Sequence, residues 1–166
     1  MPFIYQRFKI EDVRCLAIYR YDGLIKDSLL ALKVHGDIAI AKIFLGPIKN
    51  YLKSEYQGYQ IVPTPSLASH DKKRGFNHVQ EIFKVLDMPI KPLISKTKNW
   101  KQSDQHFDKR SNVRNILKIN GPVDPKQKIL LVDDILTTGE TLRASIKLLR
   151  KEGVKEIRVL AISKHV

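Results

Sequence analysis

Asp133 and Asp134 stand side by side directly after the apolar run Ile129-Leu130-Leu131-Val132, and Thr137, Thr138, Gly139, Glu140 and Thr141 follow within seven residues. Paired carboxylates accept hydrogen bonds from sugar hydroxyls or hold a hydrated divalent cation. Hydroxyls beside a glycine at a helix start suit the opposite charge, because orphan N–H groups and the helix dipole favour an anion there. One ligand unites these chemistries: a sugar phosphate.

Such groups need a rigid support. Four apolar residues without polar alternation predict a strand buried on both faces, Ile129 to Val132, and open α/β sheets place ligands at the C-terminal ends of such strands. A helix is expected from Thr141 to Lys151, with Leu142, Ile146 and Leu149 inward and Gly153 as its stop, then a strand from Ile157 to Ile162. Strand period sends Asp133 and Asp134 to opposite sides, so both reach one ligand only if the backbone turns. The nucleotide-binding patterns G-x-x-x-x-G-K-[ST] and G-x-G-x-x-G are absent from the chain.

Upstream, a strand is expected over Ala17 to Tyr21 and a helix from Gly23 to about Gly36, with Ile25, Leu29 and Leu32 on one face. Ile38 to Leu52 repeats the pattern through Ile43, Pro47 and Leu52, divided near Gly46-Pro47. Tyr59 to Val62 reads as a strand ended by Pro63-Thr64-Pro65, Asn77 to Leu86 as a helix, and Lys91 to Ser95 as a strand. Lys96 to Lys128 is polar and weakly periodic, as ligand loops are. The alternation predicts one α/β domain over residues 1–166, its parallel sheet covered by helices on both faces.

The run Leu130 to Thr141 resembles the signature of type I phosphoribosyltransferases, which bind 5-phosphoribosyl-1-pyrophosphate (PRPP). Within that family the chain is most similar to the competence protein F (ComFC-like) branch. Lys72-Lys73-Arg74-Gly75-Phe76-Asn77-His78 resembles the branch's R-G-F-N segment, and Tyr21, Gly23, Leu32-Lys33 and Gly36-Asp37 its Y-x-G, F/L-K and G-D pattern. The resemblance implies a mainly parallel central sheet with a small N-terminal hood. It implies that Asp133 and Asp134 hold the ribose hydroxyls, with Mg²⁺ nearby through water, and that Thr137, Thr138, Gly139, Glu140 and Thr141 cradle the 5′-phosphate.

By the same resemblance Thr64, Pro65 and Ser66 occupy the pyrophosphate loop, and Arg74 is the side-chain candidate for that group. Lys33 and the segment Gln102 to Arg114 match more loosely. Some base-salvage members open the phosphate loop with a carboxylate proposed as a base, where this chain has Thr137. The implied role is DNA uptake in transformation, with single-stranded DNA and a DNA-translocating ATPase as partners. An active transferase that moves ribose 5-phosphate to a base or amine is the alternative.

Composition sets the outer limits. The chain has 166 residues and a formal charge of +13, from 30 Lys and Arg against 17 Asp and Glu, which points to anionic partners. Ser69 to Lys118 holds twelve of those cations against five carboxylates, interleaved with Phe76, Phe83, Trp100 and Phe107, a mixture suited to single strands. No apolar run reaches the length of a membrane span, and a cytoplasmic location is expected. Cys15 is the single cysteine, so no structural zinc is expected in place of the branch's common four-cysteine ribbon. The five histidines share no metal-ligand spacing and are expected at the surface.

Overall fold

The structure, a computed structural model, describes residues 3–66, 71, 75–96 and 117–165. Its centre is a five-stranded sheet of β1 (Phe3–Ile10), β2 (Val13–Arg20), β3 (Tyr59–Pro63), β6 (Lys128–Leu136) and β7 (Ile157–Lys164), in the order β1-β2-β7-β6-β3. The β2–β7, β7–β6 and β6–β3 pairs are parallel, whereas β1 returns antiparallel to β2 through a tight turn at Glu11 and Asp12. Residues 3–20 form the antiparallel β1–β2 pair at one side of this sheet, with β1 as its edge.

Both faces are covered because the central strands are apolar on both. Leu130 and Val132 of β6 pack with α1 (Gly23–Leu30), α2 (Ala41–Leu45), α3 (Lys49–Glu55) and α4 (His78–Lys84). Ile129 and Leu131 pack with α5 (Glu140–Lys151). Burying each of these four side chains fully contributes about 2 kcal/mol relative to exposure. A second, two-stranded sheet of β4 (Ile94–Lys96) and β5 (Leu117–Ile119) pairs antiparallel and packs Ile94 and Leu117 on the α5 side.

Several boundaries differ from the sequence expectation. The strand after Lys128 runs to Leu136, because pairing with β7 continues past the two aspartates through Asp133↔Ala161 and Ile135↔Ser163. The segment before Gly36 changes winding: α1 stops at Leu30, and Ala31–His35 is π-helical before Gly36 closes it at φ +71°. Ile43 is 43% exposed while Phe44 is fully buried, so α2 turns Ala41, Phe44 and Leu45 inward rather than Ile43. Lys91 to Leu93 lies outside β4, although the Lys91 N–H donates to the Ile61 carbonyl at 2.9 Å beside β3.

Candidate active site at the C-terminal end of the sheet

β6 carries the two carboxylates to the end of the sheet where β3 and β7 also finish. Asp134 is buried, 7% exposed, and Asp133 half-buried. Each carboxylate accepts the next residue's backbone N–H, Asp133 from Asp134 and Asp134 from Ile135, both at 2.9 Å. Beyond them Ile135 packs with the cluster of Leu130 and Val132, and Leu136 with that of Ile129 and Leu131. Strict alternation is therefore broken after Asp134, and both aspartates line one cavity.

Their electrostatics are unequal. Asp134 Oδ2 lies 2.9 Å from His78 Nε2, on α4. Burial pushes the Asp134 carboxyl up, but the His78 hydrogen bond and charge, with the charge of Lys33, outweigh it and hold the group well below the usual range. Asp133 moves the other way, raised by burial and then by repulsion from Asp134, against a lowering hydrogen bond from Thr64. Lys96 faces the same acid: burial lowers its ammonium pKa, with Asp133 opposing and Lys33 adding to that shift. His78 is 5% exposed, which corrects the expectation of a surface histidine. Its position after Asn77 puts it in the first turn of α4, facing β6, so a buried carboxylate takes the polar tip.

The second loop follows β3. Thr64, 6% exposed, donates its N–H to the Val132 carbonyl at 2.9 Å, which carries the ladder one residue past Pro63. Ser66 donates through Oγ to Asp71, while Asn77 Nδ2 donates at 3.0 Å to both Ser66 Oγ and Asp71 Oδ2. Asn77 Oδ1 also caps α4 by accepting the Gln80 N–H at 2.9 Å. The Thr64–Pro65–Ser66 loop is thereby fastened to the helix that supplies His78. Gly36 belongs to the same corner, since a Cβ there would lie 3.4 Å from the Phe76 ring.

The third part is the start of α5. Gly139 is its N-cap at φ +73° and has no side chain to cap it, while the Glu140 N–H donates to Thr138 Oγ1 at 3.5 Å. Arg143 Nη1 donates to the Thr138 carbonyl at 2.7 Å, which steadies the loop. Thr141 lines the cavity; Thr137 and Thr138 are exposed, and Glu140 is half-buried beside them.

The cavity measures about 300 Å³ and is lined by Lys33, Thr64, Pro65, Ser66, His78, Val79, Lys96, Asp133, Asp134 and Thr141. Six of the expected site residues meet there. Sequence reasoning missed Lys96 and His78, and Lys33 enters from the π-helical turn, a feature frequent at functional sites. Arg74 and the segment Gln102 to Arg114 lie outside the described residues. Among the described residues no group of three His, Cys, Asp or Glu could enclose a metal ion.

The Phosphoribosyl transferase domain model matches residues 72–165, more than half of the chain. The chain belongs to the phosphoribosyltransferase family. It lies in the ComFC-like branch of the type I enzymes' fold. Competence protein ComFC of Streptococcus pneumoniae is 30% identical over 146 residues, covering 88% of this chain and 66% of that protein. Competence protein ComFC of Bacillus subtilis is 27% identical over 139 residues, covering 82% and 58%. The chain thus spans under two thirds of the length of these relatives. Among solved structures, a purine phosphoribosyltransferase from Pyrococcus horikoshii is 17% identical with a TM-score of 0.41, covering 74% of this chain and 71% of that one. In this family member, among the described residues, no helix is long and apolar enough to cross a membrane.

Proposed function

We propose that the chain binds PRPP with Mg²⁺ in the cavity between β3, β6 and α5, and serves DNA uptake as a competence-type protein in the cytoplasm. The observation that carries this reading is the meeting of an acid pair, a helix N-terminus and a fastened Thr-Pro-Ser loop in one polar cavity. Asp133 and Asp134 accept the ribose hydroxyls. The α5 start, from Thr137 to Thr141, takes the 5′-phosphate, and Thr64 to Ser66 with Arg74 takes the pyrophosphate. Two carboxylates, with no third close ligand among the described residues, suit Mg²⁺ that keeps most of its waters and shares the ligand's phosphates. When bound, the ion would neutralise charge on the pyrophosphate.

Single-stranded DNA is the proposed macromolecular partner, with a DNA-translocating ATPase acting on the same strand; the charge of +13 exceeds what one PRPP needs. Transfer of ribose 5-phosphate to a base or amine is the second reading. It is favoured by a carboxyl, Asp133, whose raised pKa suits proton acceptance better than an ordinary aspartate's. A turnover assay over candidate acceptors separates the two. Pyrophosphate release with one acceptor supports transfer; tight PRPP binding without release supports the binding role.

A further inference from the structure

We infer that a single-stranded nucleic acid lies along the edge strand β1, on the face shared with α3, at the other edge of the sheet from β3. This rests on the proposed nucleic-acid partner and gives it a location. Half of the span Ser69 to Lys118, with eight of its twelve cations, lies outside the described residues. Phe83 is fully buried in the core, and Phe76 is packed against the core beside Gly36. Phe83 therefore offers no face to a base, Phe76 is partly covered, and Trp100 and Phe107 lie outside the described residues.

On the β1 edge, cations stand in register. Lys9 pairs across to Arg14, and Arg14 to Arg158, so three adjacent strands carry positive charge in one row. Arg7, opposite Leu16, adds a fourth cation one pleat further along. Like charges directly opposite one another are destabilising unless an anion answers them. Arg158 is answered by Glu55 at 3.2 Å and Glu156 at 3.7 Å. Arg7, Lys9 and Arg14 form no ion pair among the described residues. These four cations line a cavity of about 380 Å³, larger than the acid-pair cavity, in which Glu55 is the one carboxylate among the described residues.

Aromatic rings continue the row. Phe3 stacks on Tyr5 at 5.2 Å, Tyr5 meets Tyr51 edge-on at 6.2 Å, and Arg7 Nη2 donates to Tyr51 Oη at 3.3 Å. Phe3 is 38% exposed and Tyr51 43%, so both keep ring surface open to solvent. The pairing of β1 with β2 shifts register between Phe3 and Gln6, so from Phe3 to Lys9 the strand runs at most roughly 20 Å, the length of a few nucleotides. Phosphates on the basic end and bases on the aromatic end match the way single strands are held without sequence preference. The basic row lies in a groove beside the end of α3, where a chain can enter and a flat bilayer cannot.

The test is anisotropy titration of a labelled twelve-nucleotide oligo(dT) with the full chain, at several salt concentrations. Arg7→Gln with Lys9→Gln and Arg14→Gln should weaken binding at least tenfold and flatten the salt slope by about 2, since each phosphate left without its cation removes roughly 0.7 from that slope. Tyr51→Ala should weaken binding about fivefold with the slope kept. Lys126→Gln with Lys147→Gln and Lys151→Gln removes the same charge from exposed positions elsewhere and should change affinity less than twofold. Equal losses in the two triple variants, or loss of binding to phosphatidylglycerol vesicles with oligo(dT) binding intact, overturns the location. A wild-type chain that binds no oligonucleotide overturns both the location and the DNA partner. Thermal stabilisation by PRPP, measured on the same variants, reports the acid-pair site separately and should be unchanged.

Discussion

Two adjacent aspartates with opposite perturbations are the residue-scale centre of the account. In the unfolded chain each ionises near pH 3.9. Folded Asp133 resists ionisation, so the wild type loses stability as pH rises from about 4 toward that raised value. Asp133→Asn should therefore melt higher than wild type at pH 7, by about 1 kcal/mol or roughly 3 °C for a chain of this size, with the gap closing near pH 4. Its PRPP affinity should fall in the same variant, the usual exchange of stability for function. A gap that stays constant from pH 4 to 7 contradicts the assignment. Asp134 has the opposite sign: its depressed pKa contributes stability that is present above about pH 4 and lost as pH falls through the folded value. His78→Leu leaves that carboxylate buried without its ring partner and should cost about 3 kcal/mol in urea unfolding. His78→Gln, which keeps an N–H donor, should cost under about 1 kcal/mol. Cys15 is a bystander to all of this, since burial pushes its thiol up to about 11.

At the scale of elements, the turn from β6 into α5 is the sensitive joint. Gly139 sits at φ +73°, and a Cβ there would lie 3.4 Å from Ile10 Cδ1 and 3.5 Å from both Arg143 Nη1 and Leu136 Cδ1. Gly139→Val should cost about 1–3 kcal/mol from backbone strain alone. PRPP affinity should fall further than that figure, because the loop also moves at the phosphate; equal losses in calorimetry and denaturation would limit the glycine to the turn. This joint was legible because its signals are local: an apolar run, two carboxylates, a glycine and a periodic helix. The division at Gly46-Pro47 was legible for the same reason. β1 was not, since Phe3, Tyr5, Arg7 and Lys9 on one face mix aromatic and basic residues and blur the apolar alternation that marks a strand. The winding change at Ala31–His35 carries no composition signal; in the fold it accompanies a fully buried Leu32 and a Gly36 close to the Phe76 ring.

Across the whole molecule, the site was half legible. Asp133, Asp134, Thr64, Pro65, Ser66 and Thr141 were readable from position relative to strand ends, and they meet in one cavity. Lys33, His78 and Lys96 come from three separated segments, and only the folded sheet brings them to the acid pair. His78 shows the limit well: its spacing to other histidines says nothing, because its partner is a carboxylate 56 residues away. The central claim is that the acid pair and the α5 start form a PRPP site, and thermal melting with PRPP and Mg²⁺ tests it most directly. At a hundredfold excess over Kd the wild type should gain about 2.7 kcal/mol, roughly 5–10 °C in Tm. Asp133→Asn combined with Asp134→Asn should remove that shift while leaving the far-UV spectrum unchanged. A wild type that does not respond, or a double variant that responds as the wild type does, contradicts the account.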